Sequence, residues 1–90
     1  MIHSMAGGEL KFNQHFDFAK VEIIEGEDIG LIFWFISPFS NLQIGNKVLV
    51  PLGKNNKEVK AKVLRIDKNI SEQSSPLPIK RMKTIISIIN

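Results

Sequence analysis

The stretch 44–57, IGNKVLVPLGKNNK, limits the possible folds more than any other part of the chain. Its centre is a short apolar strand, residues 47–50, that runs into Pro51. Proline has no N–H to give to a ladder, so Pro51 marks a strand end or a sheet edge. Gly45 and Gly53 bracket the strand, and Asn55 and Asn56 tolerate the left-handed backbone of a tight turn. The pattern predicts a hairpin arm that carries backbone and lysines outward from a barrel or sandwich.

The flanking segments extend the same theme. Residues 19–24 alternate, with Ala19, Val21 and Ile23 on one face and Lys20 and Glu22 on the other, and end in the acidic turn 25–28. Residues 31–36 are apolar on both faces until Ser37-Pro38 stops them. Such a strand is central or has one face covered. Leu42 and Ile44 are expected to pin the following loop back to the core. Residues 58–67 put Val59, Ala61 and Val63 on one face and Lys60, Lys62 and Leu64 on the other. Residues 68–78 turn polar, with Pro76 and Pro78, and read as a long surface loop. The β-branched run Ile85, Ile86, Ile88 and Ile89 favours a last strand over 83–89.

At the other end, residues 1–8 read as a flexible leader. Leu10, Phe12, Phe16 and Phe18 alternate with a break at residues 13–15, as expected of an edge strand or an arm over the sheet. The organisation is therefore a leader with an edge strand over 1–17 and one domain over 18–90. No segment carries a helical period. An all-β domain follows, and closure is the simplest way to remove sheet edges, so a small five- or six-stranded barrel of the OB or SH3-like kind is expected.

Ninety residues, 43% of them hydrophobic, supply one small core. With no cysteine there is neither a disulfide framework nor a thiolate metal site, which fits a reducing, cytoplasmic setting. No basic start precedes an apolar run, and no apolar stretch nears the roughly 20 residues that span a bilayer, so neither a secretory signal nor a membrane partner is expected. Charge is lopsided. Residues 1–46 hold two lysines against six carboxylates, a net −4, whereas residues 47–90 hold ten cations against three carboxylates, a net +7. A basic half of this kind points to a polyanionic partner, although lysines also guard sheet edges.

No catalytic constellation assembles. His3 and His15 lack ligand-spaced partners, Glu25, Glu27 and Asp28 lack the spacing of a calcium loop, and Gly53-Lys54 lacks the upstream glycine and downstream hydroxyl of a P-loop. A non-enzyme without cofactors is expected. Phe33, Trp34 and Phe35 lie in sequence beside a lysine-rich half, and nucleobases stack on aromatic faces while lysines track phosphate. Alternation sends Phe33 and Phe35 to one face, mainly core, and Trp34 to the other, where it is free to stack.

The order Ala19-Lys20-Val21, Phe33-Trp34-Phe35-Ile36-Ser37-Pro38, Gly45-Asn46-Lys47-Val48-Leu49-Val50-Pro51-Leu52-Gly53 and Met82-Lys83-Thr84-Ile85-Ile86-Ser87-Ile88-Ile89 resembles the N-terminal domain of the primosomal replication-restart helicase family, PriA (primosomal protein N′). That family shows an A-x-V strand, then F-D-Y-x-x-P, then G-x-x-V-x-V-P-F-G, then L-K-x-I-x-x-V-L-D. The resemblance covers about residues 19–90 and includes no helicase, so a stand-alone module is expected, or a separately encoded fragment that pairs with a helicase made elsewhere. In the family this barrel binds the 3′ end of a nascent strand at an arrested fork, using the F-D pair, the Gly of V-P-F-G and the Lys of L-K-x-I.

Carried over, Phe33, Gly53 and Lys83 occupy those positions, while Trp34 stands where the family has Asp, Leu52 replaces Phe and Asn90 replaces the closing Asp. Indole only donates hydrogen bonds, so backbone binding without dependence on a 3′ hydroxyl is what the resemblance implies here. The expected function is DNA binding, to single strands or primer ends in replication restart, through Phe33, Trp34, Gly53, Lys54, Lys57, Lys60, Lys62 and Lys83. A helicase or other primosome protein is the expected protein partner. The alternative is a protein-interaction or structural module that has lost nucleic-acid binding, with the apolar 31–39 region as its partner surface.

Overall fold

The computed structural model describes residues 14–90. It is all-β: β1 (His15–Ile23), β2 (Ile32–Ser37), β3 (Lys47–Leu52), β4 (Lys57–Ser71) and β5 (Ser87–Ile88) form one antiparallel sheet in the order β2-β1-β4-β3-β5. Two 3-10 turns, Glu72–Ser74 and Ile79–Arg81, lie between β4 and β5. The described residues contain no helix long and apolar enough to cross a membrane.

β4 organises the sheet. Its first part pairs with β3 over residues 57–62 and its later part with β1 over residues 61–71, so the two neighbours overlap only near Ala61 and Lys62. A strand shared in this staggered way coils the sheet, and two irregularities in the β1–β4 register sharpen the bend. At one of them Asn69 takes a positive φ of 55° and its N–H donates to the Asp17 carboxylate at 2.9 Å.

The inner face collects Ala19, Val21 and Ile23 from β1, Phe35 from β2, Val48 and Val50 from β3, and Val59, Ala61 and Val63 from β4. These are the alternating apolar positions of the sequence, and they are buried because period-2 side chains from four strands converge on one side. Leu42 and Ile85 complete the cluster from outside the strands.

The C-terminal segment bonds to β2 on one side and to β3 on the other. The Ile36 N–H donates to the Lys83 carbonyl and the Ile85 N–H to the Ile36 carbonyl, both at 2.9 Å, a parallel bridge centred on Thr84. On its other side the Ile86 N–H donates to the Leu49 carbonyl at 2.8 Å and the Ile89 N–H to the Lys47 carbonyl at 2.9 Å.

The structure corrects several boundaries. His15, expected in a break, opens β1, and His15–Asp17 pair with β4 and β2, so the division at residue 17 falls inside a strand. The leader and residues 10–13 lie outside the described residues. β4 runs on to Ser71, because the bulge at Asn69 lets polar residues expected in a loop keep pairing with β1. The last strand is regular only over Ser87–Ile88, since its ladder is divided between two partners. Ile44 does not pin its loop: it is 68% exposed, and Leu42 alone reaches the core. β2 is an outer strand, and its first residues, with Ile29 and Leu31 before them, remain exposed.

Candidate nucleic-acid interface

A cavity of about 320 Å³ lies between β2 and the end of β3, beyond the point where the C-terminal segment bonds to both strands. Its origin is legible in the backbone. Ile36 directs both its N–H and its C=O at the C-terminal segment, so the alternate residues Trp34 and Ile32 turn their backbone groups to the same side. A segment parallel to β2 would meet them with residues 79–82. Those residues instead wind into the 3-10 turn Ile79–Arg81, whose Arg81 N–H donates to the Pro78 carbonyl at 2.8 Å, and this part of the β2 edge is left open. Among the described residues, none of the turn or loop backbone bonds engages Ile32 or Trp34.

The wall opposite is the end of β3. Pro51 brings no N–H, and Gly53 follows in a left-handed turn with φ of +72°. That conformation is why glycine stands there, since an L side chain is strained in it. The Gly53 carbonyl accepts a hydrogen bond from Lys83 Nζ at 2.6 Å. This bond ties the β3–β4 turn to the C-terminal segment and holds a cation at the cavity wall. Arg81, Leu77 and Leu52 fill out the lining with Phe33 and Phe35. The Phe33 and Phe35 rings meet edge to face, with centroids 6.4 Å apart and planes at 67°. Phe35 is core, while Phe33 is 36% exposed and half belongs to the cavity.

Four of the eight expected residues, Phe33, Trp34, Gly53 and Lys83, therefore line one cavity although they come from three distant segments. The other four do not join them. Lys54 projects from the exposed turn, and Lys60 and Lys62 lie exposed along β4. Lys57 lines a separate cleft of about 90 Å³ beside Glu25, Glu27 and Asp28. Leu77 and Arg81 also line the cavity beside Phe33, with Ile32 from the apolar 31–39 run and Pro51, legible in the sequence only as a strand end. Arg81 had a signal, being two residues before Lys83 in the basic run Lys80-Arg81-Met82-Lys83. Leu77, between two prolines in a polar segment, had none.

Chemically the cavity offers apolar and aromatic walls, backbone donors and acceptors along the open edge of β2, and two cations at its rim. It suits a flat ring with an attached anion. Among the described residues no group of three or more His, Asp or Glu side chains gathers as a metal cage. The chain matches no protein-family model, no curated protein and no solved structure.

Proposed function

We propose that this chain is a non-catalytic DNA-binding module, a small OB-like barrel whose cavity takes the terminal nucleotide of a single strand or primer end. In this reading residues 83–89 close the sheet by joining β2 to β3, and the cavity is the unclosed part of that seam. Phe33 and the open β2 edge receive the base and sugar, and Lys83 and Arg81 neutralise phosphate. The working context is replication restart in the cytoplasm, with a helicase or other primosome protein as partner.

The observation that carries the reading is the convergence of Phe33, Trp34, Gly53 and Lys83 on one cavity. Their segments are the ones that resemble the replication-restart helicase domain. The chain's single tryptophan is among them, which supplies an intrinsic probe. Titrating Trp34 fluorescence with single-stranded, fork and duplex DNA is expected to give binding that weakens steeply as salt rises from low to moderate. Blocking the 3′ hydroxyl is expected to change affinity little. No binding at low salt, or affinity indifferent to salt, refutes the reading. The rival, a protein-interaction module, draws on the exposed apolar run Ile29, Leu31, Ile32 and Phe33. A stable oligomer in light scattering with no affinity for DNA favours it.

A further inference from the structure

We propose that the outer face of β1, β4 and β3 is a second nucleic-acid contact, a phosphate track that continues from the cavity; it rests on the DNA-binding reading above. The cross-strand register assembles it. Trp34 on β2 stands opposite Lys20 on β1, and Lys20 stands opposite Arg65 on β4. In the neighbouring row Lys62 on β4 stands between Glu22 on β1 and Lys47 on β3. Adjacent strands lie about 4.8 Å apart, so the row from Trp34 to Arg65 spans roughly 10 Å.

Two features distinguish this face from an ordinary solvated one. First, it opposes like charges directly, Lys20 with Arg65 and Lys47 with Lys62, an arrangement that costs stability unless an anion lies across it. Among the described residues the one ion pair joins Arg65 to Asp67, at 2.9 Å, and Lys20, Lys47, Lys60 and Lys62 have none. Glu22 stands opposite Lys62 without forming an ion pair with it. Nor do these lysines guard a sheet edge, since β1 and β4 are paired on both sides.

Second, Arg65 reaches the face only through a bulge. Val63 pairs with Val21 and points inward, and strict alternation would send residue 65 inward as well. The register shift between Lys20 and Val21 inserts one extra residue of β4, which turns Arg65 outward beside Lys20 and Ile66 toward the core. Bulges re-aim side chains in this way. Trp34 links the two surfaces: it lines the cavity and shares the outer face with Lys20. A strand whose end sits in the cavity would stack on Trp34 and lay its phosphates on Lys20, Arg65 and Lys62.

The test compares a trinucleotide with a single strand of about twenty nucleotides, longer than most single-domain footprints. In the K20Q/K62Q/R65Q variant, the salt dependence of the long strand is expected to flatten by about two units of slope, at about 0.7 per lost contact. Trinucleotide affinity is expected to stay at the wild-type value. An unchanged slope with the long strand, or equal losses for both ligands, overturns the track while leaving the cavity reading intact. Wild-type protein that binds neither ligand overturns the DNA reading itself. Should the triple variant unfold, K47Q/K62Q carries the test: it removes an exposed like-charge pair, is expected to melt no lower than wild type, and must still flatten the slope.

Discussion

Ile85 and Ile86 are adjacent, chemically identical and differently placed, so truncating each in turn isolates what the C-terminal segment contributes. Ile85 is 2% exposed and packs in the central cluster, while its N–H reaches the Ile36 carbonyl. Ile86 is 40% exposed, and its N–H reaches Leu49. Replacing isoleucine by alanine removes three carbon groups, at about 0.8 kcal/mol each when fully buried, or about 2.4 kcal/mol in transfer terms. A residual cavity raises the cost of Ile85→Ala to about 3–4 kcal/mol. Ile86→Ala leaves no enclosed void and loses only part of the transfer term, about 1–1.5 kcal/mol. Both backbone hydrogen bonds survive in either variant, so the difference of about 2 kcal/mol reports packing alone. For a domain of this size that difference is about 8–16 °C in melting temperature. Urea denaturation followed by circular dichroism gives both values, with equal m-values required for the comparison. Equal losses, or a larger loss at Ile86, would mean that the C-terminal segment does not lie against the core and that the cavity beside it is not a fixed feature.

Two further substitutions address the cavity wall. Gly53→Ala is expected to cost about 1 kcal/mol from backbone strain alone, because φ is +72° and an added Cβ meets nothing within 4 Å. A loss in urea denaturation well above this would show that Gly53 is held by packing instead. Lys83→Met removes an exposed hydrogen bond to the Gly53 carbonyl, so stability is expected to move by less than about 0.5 kcal/mol. Its affinity for a single strand is expected to fall about tenfold in the fluorescence titration, the worth of one charge-assisted contact. Unchanged affinity would remove Lys83 from the interface.

What the sequence disclosed and what it withheld divide along one physical line. The inner face was legible because burial imposes period 2, and Val21, Val48, Val50, Val59, Ala61 and Val63 all lie where alternation puts them. Phe35 was legible for the same reason. The site was only half legible, since it depends on where alternation fails. The cavity exists because residues 79–81 wind into a turn instead of pairing with β2, and no periodic signal marks a ladder that is absent. The lysines named from the sequence were grouped by proximity along the chain, which strands do not preserve: Lys57 and Lys60 end up beside acidic residues, through a cleft and through the Lys60 N–H bond to the Glu25 carboxylate at 2.9 Å. A strict count turns Arg65 inward, and only the bulge opposite Lys20 brings it out. Trp34 is the exception that joins the two kinds of information. Alternation alone separated it from Phe33 and Phe35, and the register then placed it opposite Lys20 while the open edge of β2 left it lining the cavity. A substitution there acts on both surfaces at once, which is why the cavity and the face are separable only through Lys83 on one side and Lys20, Lys62 and Arg65 on the other.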